Sequence, residues 1–98
     1  MEKRTPHTPL HTVQALVKEG RVRVTKAALI GARQIGCDHD DIIENVLALS
    51  MKEFYKSMTT NADHTIWQDV YHRVTPFGEV YLKLTVLNDV LIISFKEL

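Results

Sequence analysis

The groups in this chain best suited to handle a phosphate are two lysines and a tyrosine near its C-terminal end. Asn88-Asp89 separates two apolar-rich runs, and both residue types tolerate positive φ, so the segment reads as a two-residue hairpin turn. Pairing then runs Leu87–Val90, Thr85–Ile92, Lys83–Ser94 and Tyr81–Lys96. Side chains alternate across a sheet, so Val80, Leu82, Leu84 and Val86 join Leu91, Ile93 and Phe95 on a wholly apolar face that must be core. The other face collects Tyr81, Lys83, Ser94 and Lys96. Cross-strand neighbours sit ~5 Å apart at Cβ, which lets Tyr81 and Lys96 act on one ligand. If Thr75-Pro76-Phe77-Gly78 is a four-residue loop, Gln68 joins that face while Trp67 and Tyr71 turn to the core. An odd-numbered loop reverses the assignment. An amide, a phenol, amines and a hydroxyl over an apolar core suit a phosphate and a base. They also suit an ordinary solvated sheet face.

Other constellations carry less. His7 and His11 are four apart, but His7 precedes the first helix and does not share its face, so a zinc pair is not expected. Cys37-x-His39 has no second cluster to complete the usual four ligands of structural zinc. His64 and His72 are available as proton-transfer groups or stand as exposed strand histidines without a task. Asp63 and Asp69 are read as structural caps rather than cation ligands. There is no Gly-rich phosphate loop, Gly-x-Ser-x-Gly elbow or Cys–His nucleophile pattern. No metal or cofactor is expected.

These groups need a scaffold, and the chain reads as helices first and strands last. Thr8-Pro9 is a helix start, Leu10, Val13, Leu16 and Val17 repeat at helical spacing, and Gly20 ends the run. Arg21–Val24 alternates like a very short strand. Thr25 caps a second helix carrying Ala28, Leu29 and Ala32 and ending at Gly36, with Gly31 a weak point inside it. Asp38 caps a third, whose stripe is Ile42, Ile43, Val46, Leu47 and Leu49, with Asp40 and Asp41 in its first turn. Ser50–Glu53 is a capping box for a short turn of helix over 51–55. Strands are expected over 56–61, 65–74, 79–87 and 90–96. Helices followed by antiparallel strands make an α+β domain over residues 1–98, with the helices packed on one face of the sheet.

Composition narrows the function classes. At 98 residues with 45% apolar content the chain supports one modest core. No window approaches ~18 apolar residues, and MEKRTPHTPLHT lacks an apolar signal core, so membrane and secreted readings fall away. One cysteine, Cys37, suits a reducing, cytoplasmic setting. The formal net charge of zero argues at first against a nucleic-acid partner. It is an average, however: residues 1–33 carry a net +5, residues 34–55 a net −4 and residues 56–98 a net −1. A small phosphate site needs a few placed cations, not a basic protein.

The N-terminal MEKRTPHT, the segment FYKSMTTNADHTIWQDVY (54–71) and GEVYLKLTVLNDVLIISFKE (78–97) closely resemble the MqsR (motility quorum-sensing regulator) toxins. The similarity spans nearly the whole chain and is loosest over about residues 30–50. The resemblance implies a RelE-like α+β ribonuclease fold and the toxin half of a type II toxin–antitoxin pair. Such a toxin cleaves messenger RNA without needing the ribosome and arrests growth. Its partner is a zinc-containing DNA-binding antitoxin, through which the complex meets operator DNA, and the pair is tied to stress and biofilm physiology. The family's site residues correspond to Lys56, Gln68, Tyr81 and Lys96, two of which the hairpin register already set opposite each other. Lys83, Ser94 and Arg73 are expected to bind RNA.

Metal-free RNA cleavage has the 2′-hydroxyl attack its own phosphate, leaving a 2′,3′-cyclic phosphate and a 5′-hydroxyl. The step needs a base, charge stabilisation at phosphorus and a proton for the leaving oxygen. Lys56 and Lys96 are expected to hold the phosphate, one with its pKa depressed by the other cation. Tyr81 is expected to donate or relay a proton, and Gln68 to orient the RNA. The rival readings are a non-catalytic RNA-binding domain and a protein-interaction module.

Overall fold

A computed structural model describes all 98 residues. Three helices cover one face of a six-stranded sheet, the expected α+β arrangement. In chain order the elements are β1 (Glu2–Lys3), α1 (Leu10–Lys18), β2 (Val22–Val24), α2 (Lys26–Gln34) and α3 (His39–Ala48). A single 3-10 turn (Met51–Glu53) leads into β3 (Phe54–Thr59), β4 (Trp67–Thr75), β5 (Gly78–Leu87) and β6 (Asp89–Glu97). The strand order is β1-β3-β4-β5-β6-β2. All neighbours are antiparallel except β2, which pairs parallel with β6 through Val22↔Val90, Arg23↔Leu91 and Val24↔Ile92. That pairing is parallel because α1 and its following turn carry the chain back across the sheet before β2 begins.

Local chemistry accounts for the helix ends. Thr25 accepts from the Ala28 N–H at 3.1 Å, and Asp38 and Asp41 cap each other's backbone at 2.8 and 2.9 Å. Gly20 takes φ +78 and closes α1. Thr8 is not the cap of α1; Pro9 occupies that position with no side-chain bond, and the Thr8 N–H donates to Asp69 at 3.1 Å instead. The expected turn after Ser50 is present but shorter, since Phe54 and Tyr55 already belong to β3. The core lies between the layers: Val13, Val17, Ala28, Ala32, Ile42 and Val46 pack against Tyr71, Val80, Leu82, Leu84, Ile92 and Phe95.

The last hairpin corrects the expected register at one end and keeps it at the other. Asn88 alone turns the chain, at φ +69, so Leu87 faces Asp89, Val86 faces Val90 and Thr85 faces Leu91. A bulge opposite Lys83/Leu84 then adds one residue to β6, which restores Lys83↔Ser94 and Tyr81↔Lys96. The core face of β6 is therefore Val90, Ile92 and Phe95, whereas Leu91 and Ile93 lie outside the buried core. The β4–β5 connection is tighter than expected, a two-residue turn at Pro76-Phe77, yet Val74 still faces Glu79 and the parity holds. Tyr71 is accordingly fully buried.

Candidate active site on the open sheet face

The helices leave the other sheet face open, and cross-strand pairing lays the polar groups across it in rows. Lys56 pairs with Val70, Val70 with Lys83, and Lys83 with Ser94. His72 pairs with Tyr81, and Tyr81 with Lys96. Gln68 pairs with Met58 on the adjoining part of β3 and β4. Lys56, Gln68, Tyr81, Lys83, Ser94 and Lys96 thus share one face, as alternation from the hairpin requires. Arg73 does not join them. It lies on the helical side, where its guanidinium holds Glu53 at 2.9 Å, Asn45 at 2.8 Å and the Ala48 carbonyl at 3.2 Å. Arg73 ties β4 to the end of α3, because its side chain alternates with His72 to the opposite face.

Two bulges shape the site. Between Phe54, which faces Tyr71 in the core, and Lys56, which faces Val70, the register of β3 shifts. Strict alternation would put residues 54 and 56 on the same side. The extra residue lets Phe54 enter the core while Tyr55 and Lys56 both stand on the open face. Tyr55 stacks on His72 with ring centroids 4.1 Å apart and planes inclined by 18°. His72 in turn lies 5.9 Å from the Tyr81 ring. Cations flank this row: Lys96 Nζ is 5.3 Å from the Tyr81 ring, Lys56 Nζ 5.4 Å and the Arg4 guanidinium 6.0 Å from the Tyr55 ring. Aromatic faces interleaved with cations are the surface on which single-stranded bases stack beside their phosphates.

The N-terminal arm closes one side. Asp69, buried beneath it, accepts from the His7 and Thr8 N–H groups at 3.0 and 3.1 Å, so its role is the structural one expected. The His7 ring stacks on Trp67 at 5.7 Å and Lys3 Nζ stands 4.1 Å from that ring, which leaves Trp67 covered rather than free for a base. Glu2, on β1, pairs with Lys56 at 2.5 Å.

These neighbours set the protonation of the site. The hydrogen bond from Lys56 to Glu2 raises the lysine above its ordinary value and lowers the carboxyl below its own. Burial raises the Tyr81 phenol, with Lys56 opposing and Tyr55 reinforcing the shift. Lys83 goes the other way: burial first, and the charge of Lys96 second, lower its pKa. A depressed lysine was expected at Lys56 or Lys96; it falls on Lys83, the half-buried middle of the row. Sequence reasoning passed over Tyr55, Arg4 and Glu2. Tyr55 is hidden from any alternation argument by the bulge, and Glu2 and Arg4 by the long-range pairing of β1 with β3.

The arrangement offers the amines of Lys56 and Lys96, a half-buried lysine of lowered pKa, a phenol of raised pKa and an amide around a stacking row. A sequence-family model described as motility quorum-sensing regulator, toxin of MqsA, matches residues 5–97. An Escherichia coli K12 protein described as mRNA interferase toxin MqsR is 57% identical over 97 residues, covering 99% of each chain.

Proposed function

The chain belongs to the motility quorum-sensing regulator toxin family, and from that membership we propose that it is an mRNA interferase, an endoribonuclease that cuts messenger RNA and arrests growth. The single observation that carries the chemistry is the meeting of Lys56, Gln68, Tyr81, Lys83 and Lys96 on one open sheet face. In this reading the fold is of the RelE-like ribonuclease kind, and cleavage needs neither a metal nor the ribosome.

Lys56, kept charged by Glu2, and Lys96 hold the scissile phosphate. Lys83, half-buried beside Lys96 and lowered in pKa by both, takes the proton from the 2′-hydroxyl in its deprotonated form. The 2′-oxygen–phosphorus bond forms and the bond to the 5′-oxygen breaks. Tyr81, kept protonated by burial, gives its proton to the departing 5′-oxygen. The products are a 2′,3′-cyclic phosphate and a 5′-hydroxyl. Gln68 orients the strand, Ser94 hydrogen-bonds it, and Tyr55 and His72 stack its bases. Each preorganised charge-stabilising or proton-donating group removed is expected to cost ~10²–10³ in rate.

The test is purified protein with a long labelled transcript in EDTA. Fragments with cyclic phosphate ends support the reading. RNA retained without fragments points to a binding domain, and unchanged cleavage by Lys83→Ala, Tyr81→Phe and Lys96→Ala refutes the roles assigned here.

The family description names an antitoxin, MqsA, and we propose a cognate one here as the neutralising partner, a zinc-containing DNA-binding protein that carries the complex to operator DNA. Growth arrest by the chain alone, relieved on coexpression with the neighbouring gene's product, is the expected result. No helix is long and apolar enough to cross a membrane, and the proposed site of action is the cytoplasm.

A further inference from the structure

A cleft of about 380 Å³ opens beside the open face, between α2 and the end of β6. Its walls are Ala27, Ile30, Gly31 and Gln34 on the helix and Ser94 and Lys96 on the strand. Residues 27, 30, 31 and 34 recur at the spacing of one helix face, so the four line one wall in register. The two small residues leave the space; Ile30, 49% exposed, and the exposed amide of Gln34 supply the chemistry. Ser94 and Lys96 belong at once to this cleft and to the phosphate-handling row. The volume lies near the low end of small-ligand sites, ~300–1,000 Å³, the size for one planar group rather than for a helix or a duplex.

We propose that this cleft is a base-reading subsite: it takes the unpaired base of the nucleotide next to the scissile phosphate, packed on Ile30 and read on its hydrogen-bonding edge by Gln34. The proposal rests on the endoribonuclease reading and adds a specificity determinant to it. Continuity decides the occupant, since Lys96 lines both the phosphate row and the cleft, its Cβ 3.1 Å from where a side chain on Gly31 of the α2 wall would begin. The chemistry fits as well. Unpaired RNA bases are recognised by stacking or apolar contact on the face and by hydrogen bonds at the edge. A glutamine amide offers both a donor and an acceptor for that edge.

The experiment is cut-site mapping on a transcript pool with randomised sequence, using wild type, Gln34→Ala, Ile30→Ala and the cleft-narrowing Ala27→Leu. The readout is the ratio of cleavage at the favoured base to cleavage at the other bases, position by position. That ratio is internal to each reaction, so a lower overall rate does not imitate it. Loss of an edge contact is expected to lower the ratio about tenfold for Gln34→Ala at one flanking position and to leave the other positions as in wild type. Ile30→Ala and Ala27→Leu are expected to alter that same position. All three substitutions are at exposed sites, so a partial loss in one variant leaves the other two to decide. Wild-type ratios in all three variants overturn the subsite alone. A wild-type enzyme with no base preference beside the cut also overturns it. A wild type that cuts no RNA overturns the endoribonuclease reading, and the subsite with it.

Discussion

Tyr71 and Tyr81 stand on neighbouring strands and differ by which face alternation gives them. Tyr71 is fully buried, its hydroxyl has no hydrogen-bond partner, and burial with Asp69 nearby pushes its phenol far above the ordinary range. It fills space and carries a desolvated polar atom. Replacing it with phenylalanine removes that atom, so Tyr71→Phe should leave cleavage intact and stability unchanged or up to ~1 kcal/mol higher in a denaturant titration. Tyr81 is half-buried on the open face beside Lys96, and Tyr81→Phe should cost ~10²–10³ in single-turnover rate with the melting curve unmoved. Lys83 gives the pH dependence. A lowered pKa means the neutral amine appears below the usual lysine range, so the cleavage rate should rise with pH through that lowered value. Tyr81, raised by burial above the ordinary tyrosine value, keeps its proton across that rise. Arginine does not deprotonate, so Lys83→Arg should retain RNA in a gel shift while losing the rising limb of the pH–rate profile. A rising limb that survives in Lys83→Arg would assign the base elsewhere.

At the scale of elements, the site depends on how closely α2 lies on β6. A Cβ at residue 31 would stand 2.5 Å from the Phe95 carbonyl oxygen and 3.1 Å from the Lys96 Cβ. The first neighbour is backbone and cannot swing aside, so Gly31→Ala must lift the helix from the strand. Overpacking of this kind costs ~1–3 kcal/mol, and ~4–8 °C of melting temperature per kcal/mol is expected for a domain of this size. Because the displaced strand carries Lys96, the cleavage rate should fall even at temperatures where Gly31→Ala is fully folded. Read from the sequence, Gly31 was a flaw in a helix; only the packing of two elements distant in the chain shows it as a requirement. The same division runs through the molecule. Caps, apolar stripes and the Tyr81/Lys96 pair were legible because each is set by spacing within one segment or one hairpin. The single-residue turn at Asn88 and the bulge after Ile92 were not, and their offsets cancel at Lys83, so the expected site pairs survive while Leu91 and Ile93 change places with Val90 and Ile92. Arg73, expected to bind RNA, is turned by strand parity to Glu53 and Asn45 instead.

At the scale of the whole molecule, zero net charge has to be reconciled with a polyanionic substrate. The N-terminal surplus of +5 is spread rather than pooled: Arg21 is paired with Asp89 at 3.0 Å near the far edge of the sheet, Lys3 covers Trp67, and only Arg4 reaches the stacking row. Affinity then rests on Lys56 and Lys96, with Lys83 adding to it only while protonated, and each phosphate neutralised on a single strand contributes a slope of ~−0.7 in log K against log salt. Two to three such contacts give a slope of about −1.4 to −2, shallow for a nucleic-acid-binding protein. One of those contacts is already taken in the free protein, because Glu2 holds Lys56. That pair persists at neutral pH: the carboxyl is held below 4.5 and the amine above 10.5, so it is lost only as pH falls through the lowered Glu2 value or rises through the raised Lys56 value. RNA must displace this carboxylate or bind around it. Glu2→Gln removes the competitor and one negative charge at the rim, so at low salt it should bind a short uncleavable oligonucleotide more tightly. Its salt slope should steepen by up to ~0.7, the value of one further phosphate contact. Fluorescence anisotropy across a salt series measures both quantities. A slope and affinity identical to wild type would mean that Lys56 keeps Glu2 as its partner in the complex and positions the N-terminal arm rather than the phosphate, leaving Lys96 to hold the phosphate beside the base Lys83.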